Sequence, residues 1–148
     1  VGVTYNIIIK IRGGVKMTRI IWATPHQMTS EQLEELKQLF GEGVKIIGLA
    51  DAIGMGVPDI TASPDDPNKL RDLAVDFVNA VRRAGIDAVI QPAGSQAFQF
   101  MLGTVVKELN VPIVVAYAHS ERVGVNELQE DGSVKKTSFF LHKRFILL

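Results

Sequence analysis

The sequence predicts an α/β domain: a mainly parallel sheet with helices on both faces and a β-hairpin at its end. Three observations predict it. From residue 18 onward, short apolar runs alternate with amphipathic segments of helical spacing. That alternation demands crossovers, and crossovers give parallel strands covered on both faces. Each helical segment also carries its own start and stop residues. After the last of them the pattern changes to two extended runs around Asp131-Gly132, the strongest short hairpin signal. A Rossmann-like three-layer sandwich follows. Strand two lies beside strand one and strand three on its other side, which puts a topological switch between strands one and three.

The elements follow in order. "RIIWA" (19–23) is a buried strand, and "MTSEQLEELKQLF" after it is a helix. Thr29 with Gln32 fits a capping box, Leu33, Leu36, Leu39 and Phe40 form an inward stripe, and Gly41 and Gly43 stop the helix. "VKIIGLA" (44–50) is the second strand. "DAIGMGVPDITASPDDPN" (51–68) has no period and is a loop with at most a short helical turn. Asp66-Pro67 starts the next helix, because Asp can cap and Pro suits the first helical position. It runs to Arg83 with Leu70, Leu73, Ala74, Phe77, Val78 and Val81 inward, and Gly85 ends it. "DAVIQ" is the third strand, Ser95 caps a helix through Leu109, and "IVVAYA" is the fourth strand. "HSER" (119–122) then turns abruptly polar. It is either a solvated turn or one wall of a site. "RVGVNELQ" and "VKKTSFFLHKRF" form the hairpin.

The first sixteen residues have two readings. Met17 opens "MTRIIWAT" like a natural start, so 1–16 are a non-native extension and 148 − 16 = 132 residues remain. Alternatively Val3, Tyr5, Ile7, Ile9 and Ile11 line one side of a strand that turns at Gly13-Gly14. Residues 17–148 make one domain, for which 47% hydrophobic residues supply a core.

Sixteen basic residues balance sixteen acidic ones, which argues against long nucleic acid as a partner. No apolar run is long enough to span a bilayer, so no membrane partner is expected. The absence of cysteine excludes disulfides and thiolate metal sites, and is compatible with a cytoplasmic protein. The histidines lack paired spacing and the acidic loops lack a calcium pattern, so no metal and no cofactor is expected. There is no Walker loop, no glycine fingerprint for a dinucleotide and no nucleophile elbow.

Ligands of such sheets bind beyond the carboxyl ends of the strands, near the switch. Three polar groups stand there: Thr24 and His26 after strand one, Gln91 to Gln96 after strand three, and His119 to Arg122 after strand four. Gly94 lets backbone approach a ligand, and the N–H groups from Ser95 and Gln96 attract an anion; an ordinary turn with a serine cap is the plainer reading. His26 can shuttle a proton near neutrality or simply touch the helix end. The helix from Gln96 to Leu109 is apolar almost all round. Part of it is therefore covered by a second subunit in a homodimer, or by the hairpin.

"AYAHSERVGVNELQEDGSVKKTSFFLHKRF" resembles the closing segment of a small CRISPR-associated family from type III systems. Ser120-Glu121-Arg122, Asp131 to Val134, and Phe140, His142 and Phe145 carry the match. His26, Thr29, Glu31 and Gln32 agree with its opening, and "QPAGSQA" agrees loosely with its third loop; residues 50 to 70 depart. The resemblance implies a CARF-like fold, a homodimer, and cyclic oligoadenylate as ligand, with cyclic tetra-adenylate the expected ring. It implies a ring nuclease that works without a metal, the ribose 2′-hydroxyl attacking its own phosphorus to leave a cyclic 2′,3′-phosphate. In that chemistry His26 is the acid or base, Arg122 holds the phosphoryl oxygens and Glu121 orients Arg122 or a ribose hydroxyl. Thr24, Gln91, Gly94, Ser95, Gln96, Ser120 and His142 bind the ligand, and His142 shares a strand face with Arg144. A binder that only sequesters the messenger, and an unrelated nucleotide-binding module, are the alternatives.

Overall fold

The computed structural model describes residues 17–148; both readings of 1–16 lie outside the described residues. The elements are β1 (Arg19–Trp22), α1 (Ser30–Phe40), β2 (Lys45–Gly48), α2 (Leu49–Gly54), α3 (Pro67–Arg83), β3 (Ala88–Ile90), α4 (Gln96–Leu109), β4 (Val114–Leu128) and β5 (Val134–Leu147). They form an α/β protein with one mixed sheet, ordered β2-β1-β3-β4-β5. β1 pairs in parallel with β2 and β3, and β3 with β4, while β4 and β5 are antiparallel.

Strand alternation divides the core in two. Ile21, Ala23 and Val89 face α3 and α4, whereas Ile20, Trp22, Ala88 and Ile90 face α1. Successive side chains of a strand point to opposite faces, so strands that are apolar at every position need helices on both sides. α1 supplies Leu36 and Phe40 to one cover. α3 supplies Leu70, Ala74, Phe77, Val78 and Val81 to the other, and α4 adds Phe98, Leu102 and Val105. Phe77 and Phe98 meet edge-on, ring centroids 6.4 Å apart.

The helix ends follow their sequence signals. Thr29 Oγ1 accepts the Gln32 N–H at 3.1 Å and the Gln32 side chain accepts the Thr29 N–H at 2.9 Å. Gly41 closes α1 at φ 104°. Asp66 accepts from the N–H groups of Asn68 and Lys69 ahead of Pro67. Ser95 caps α4, and Asn110 ends it in the left-handed region.

Two expectations are corrected and a third is narrowed. The second strand stops at Gly48, because Leu49 and Ala50 already open α2. Within the single chain α4 keeps an uncovered side, where Phe100 is 79% exposed and Leu109 is exposed too, so the hairpin does not supply all of the cover expected for it. Most important, "HSER" is no turn. β4 runs unbroken through it, because β5 offers a hydrogen-bonding partner along its whole length. β3 accompanies only Val114 to Ala116, so the rest of β4–β5 is a two-stranded arm. At its tip Asp131 accepts from both the N–H and the hydroxyl of Ser133, at 2.9 and 2.6 Å. These two bonds hold its carboxyl below the usual carboxylate value.

Candidate functional site

The carboxyl ends of β1 and β3 are laced together beyond the sheet. Ala23 donates its N–H to the Ile90 carbonyl, and Ala93 donates to the Ala23 carbonyl. β3 is too short to follow β4 past Ala116, and Gln91 takes over. Its backbone turns to φ 55°, its N–H bonds the Ala116 carbonyl, and its side-chain oxygen accepts the Ala118 N–H at 2.6 Å. An amide side chain thus substitutes for the missing strand residue. The loop after β1 is fastened as well. Buried Thr24 accepts the His26 N–H at 3.3 Å, and the Trp22 indole donates to the His26 carbonyl at 2.7 Å.

Between these ends, α1 and the arm lies a hollow of about 630 Å³, within the size range of small-ligand sites. Thr24, His26, Gln91, Ser120 and His142 line it, and so do Trp22, Glu31 and Phe140. Five of the ten expected residues therefore meet at one place, from β1, β3, β4 and β5.

A β-bulge explains which arm residues join them. His119 pairs with Arg144 but Ser120 pairs with His142, so Lys143 is the extra residue. An extra residue shifts the alternation of its strand. His142 and Phe145, three apart, consequently share the face toward α1, their ring centroids 4.8 Å apart. Arg144 falls on the opposite face, paired with His119, which corrects the expectation that it sides with His142. On β4 the alternation is regular. Ala118 and Ser120 line the hollow, and Arg122 shares their face. The Arg122 guanidinium lies 5.4 Å from the centroid of the Phe140 ring, itself part of the lining.

The same alternation turns His119 and Glu121 away. Glu121 sits across from Leu141 and makes an ion pair with Lys143 at 3.4 Å. The expected role of Glu121 beside Arg122 is therefore not supported: neighbours in a strand point oppositely.

Gly94, Ser95 and Gln96 do not reach the hollow either. The Gly94 α-carbon is pressed against the 60–63 loop, where a Cβ would meet the Ile60 carbonyl and the Ser63 hydroxyl at 2.8 Å each. Ser95 donates its N–H to Ser63 Oγ at 3.0 Å and caps Phe98 at 3.1 Å. The Ser95 N–H, one of the donors expected to cradle phosphate, is already used to dock α4.

Glu35 was not foreseen. Its Oε1 lies 2.8 Å from His142 Nε2 and its Oε2 accepts the Phe145 N–H at 2.6 Å. The only sequence signal was its place beside Leu36 and four before Leu39, at the border of the apolar stripe. Among the described residues no group of three or more His, Cys, Asp or Glu side chains could hold a metal ion. No described helix is long and apolar enough to cross a membrane.

Residues 18–146 match a family model whose description is "Uncharacterized protein MJ1673 family". No curated protein matches the chain, and no solved structure does.

Proposed function

The chain belongs to the MJ1673 family, and we propose that it binds cyclic oligoadenylate at the strand-end hollow and opens the ring. The observation that carries this reading is the convergence of Thr24, His26, Gln91, Ser120 and His142 on one ligand-sized space beside Arg122. The strand order β2-β1-β3-β4 supports a Rossmann-like, CARF-like domain. In such sheets the crevice beside the first strand, where the order reverses, is where ligands bind.

The lining suits a nucleotide. Trp22 and Phe140 offer apolar faces to a base, and the hydroxyls of Thr24 and Ser120 offer hydrogen bonds to ribose or phosphate. Arg122 shares this face of the arm with Lys136 and stands over Phe140 of the lining. Its planar fork can take two phosphoryl oxygens at once. His26, in the lining, carries a proton to or from the reacting oxygens. The ribose 2′-hydroxyl attacks the adjacent phosphorus, the 5′-oxygen leaves, and a cyclic 2′,3′-phosphate remains. Holding both oxygens in line supplies much of the acceleration. The residues of this mechanism exclude Glu121, which faces away, and Gly94 to Gln96, which dock α4.

The same reading includes a cytoplasmic homodimer. The uncovered outer side of α4 presents Phe100 beside an apolar groove of about 360 Å³ whose lining includes Val106, Val115 and Leu148.

A cleavage assay across ring sizes, with and without chelator, tests the reading. Linear product ending in a 2′,3′-cyclic phosphate, at a rate that chelator leaves unchanged, is expected. Tight binding with full recovery of intact ring would leave a sequestering protein. No binding of any ring would end the proposal.

A further inference from the structure

Glu35 is a carboxylate bonded to His142 and Phe145 in the wall of the hollow, and the reaction above does not use it. Its side chain is 21% exposed and that of His142 only 10%. A carboxylate oxygen accepts hydrogen bonds and does not donate them, so the proton in the Glu35–His142 bond sits on Nε2. The neutral ring then keeps its lone pair on Nδ1. That atom is buried and has no hydrogen-bond partner among the described residues. Flipping the ring gives no relief, because it would set a carbon against Glu35. Folded proteins leave few buried polar atoms unpaired, and each one asks for a reason.

We infer that Glu35 is a positioning residue that holds His142 in the Nε2–H tautomer, so that Nδ1 accepts a hydroxyl proton from the ligand in the hollow. The identity of that hydroxyl, the ribose 2′-OH, rests on the proposed reaction. The proton passes from O2′ to Nδ1 as the O2′–P bond forms. The P–O5′ bond breaks, and the 5′-oxygen takes a proton from His26 in its imidazolium form. The new His142 imidazolium is held by the Glu35 carboxylate, and both rings return to their starting states by exchange with water. Carboxylates orient catalytic imidazoles in this way on unrelated folds. Ser120, the cross-strand partner of His142, borders the same space. Nδ1 is closed to solvent in the free chain, so ligand entry has to uncover it while the Glu35–His142 bond is kept.

The test uses the full chain with ¹⁵N-labelled histidine. Long-range ¹H–¹⁵N correlation spectra should show His142 as the Nε2–H tautomer, and cyclic tetra-adenylate should move the Nδ1 resonance. Glu35→Gln keeps the shape and the bond from Phe145 but can itself donate. It should mix the tautomers, lower kcat by roughly 10²-fold with KM nearly unchanged, and displace the pH profile. An Nδ1–H tautomer in the wild type would overturn the inference, and so would an unaltered tautomer and pH profile in the variant. If the wild type cuts no ring, the proposed reaction fails alone, because the spectra judge Glu35 without substrate. If the ring is cut and Glu35→Gln changes nothing, the inference fails alone.

Discussion

Arg122 and Gly94 show how differently two residues can serve a sheet end. Arg122 stands over Phe140 on the face that borders the hollow, where a guanidinium can meet phosphate. Arg122→Ala should lower turnover by roughly 10²-fold, as loss of one donor to a developing oxyanion does. Arg122→Lys should recover little, because an ammonium lacks the planar fork; steady-state kinetics check both. Gly94 has the opposite profile. Its φ of +100° and its contact with the Ile60 carbonyl make it a docking point. Gly94→Ala should cost roughly 2 kcal/mol, seen as a lower Tm, while ligand affinity per folded molecule stays unchanged. A phosphate-cradling glycine would show the reverse. From sequence the two possibilities looked alike, because glycine before a serine cap serves either purpose.

Elements carry the next group of expectations. Thr29→Ala removes the hydroxyl that accepts the Gln32 N–H in the capping box of α1 and should cost about 1 kcal/mol, measured by urea unfolding. Because α1 also holds Glu35, the proposed ring-opening activity should fall at temperatures where α1 frays. The hairpin tip depends on pH through Asp131. Its folded value is lowered, first by the Ser133 hydroxyl and then by the Ser133 N–H. A lowered carboxyl stabilises the folded turn at pH above its unfolded value and loses that contribution as pH falls through the folded value. Amide exchange at the tip should therefore quicken across that acid window, and Asp131→Asn should flatten the dependence. The caps and turns were legible in the sequence because each is decided by three or four adjacent residues. The length of β4 was not legible. Whether polar residues such as "HSER" extend a strand depends on the partner that runs beside them, and β5 begins only at Val134.

At the scale of the whole molecule, stability should rest on the seam between α3 and α4. Phe98 is fully buried against Phe77, so Phe98→Ala should cost about 3–5 kcal/mol in a denaturant titration. Phe100, two residues on, points outward. Phe100→Glu should leave unfolding nearly unchanged and, if the proposed homodimer uses α4, turn it to monomer in a sedimentation experiment. The sequence by itself determined the order of elements, their caps, the two-sided core and the neighbours of β1, because periodicity and end signals are local and the chirality of crossovers restricts the rest. Only the tertiary structure decided which polar residues meet. One extra residue at Lys143 turns His142 toward Glu35, more than a hundred positions earlier in the chain. Regular alternation in β4 sends Glu121 away from Arg122, and Ser63 of the 60–63 loop occupies the Ser95 N–H. Side-chain direction in a strand follows register, and register is a property of two strands paired in space, not of either one alone.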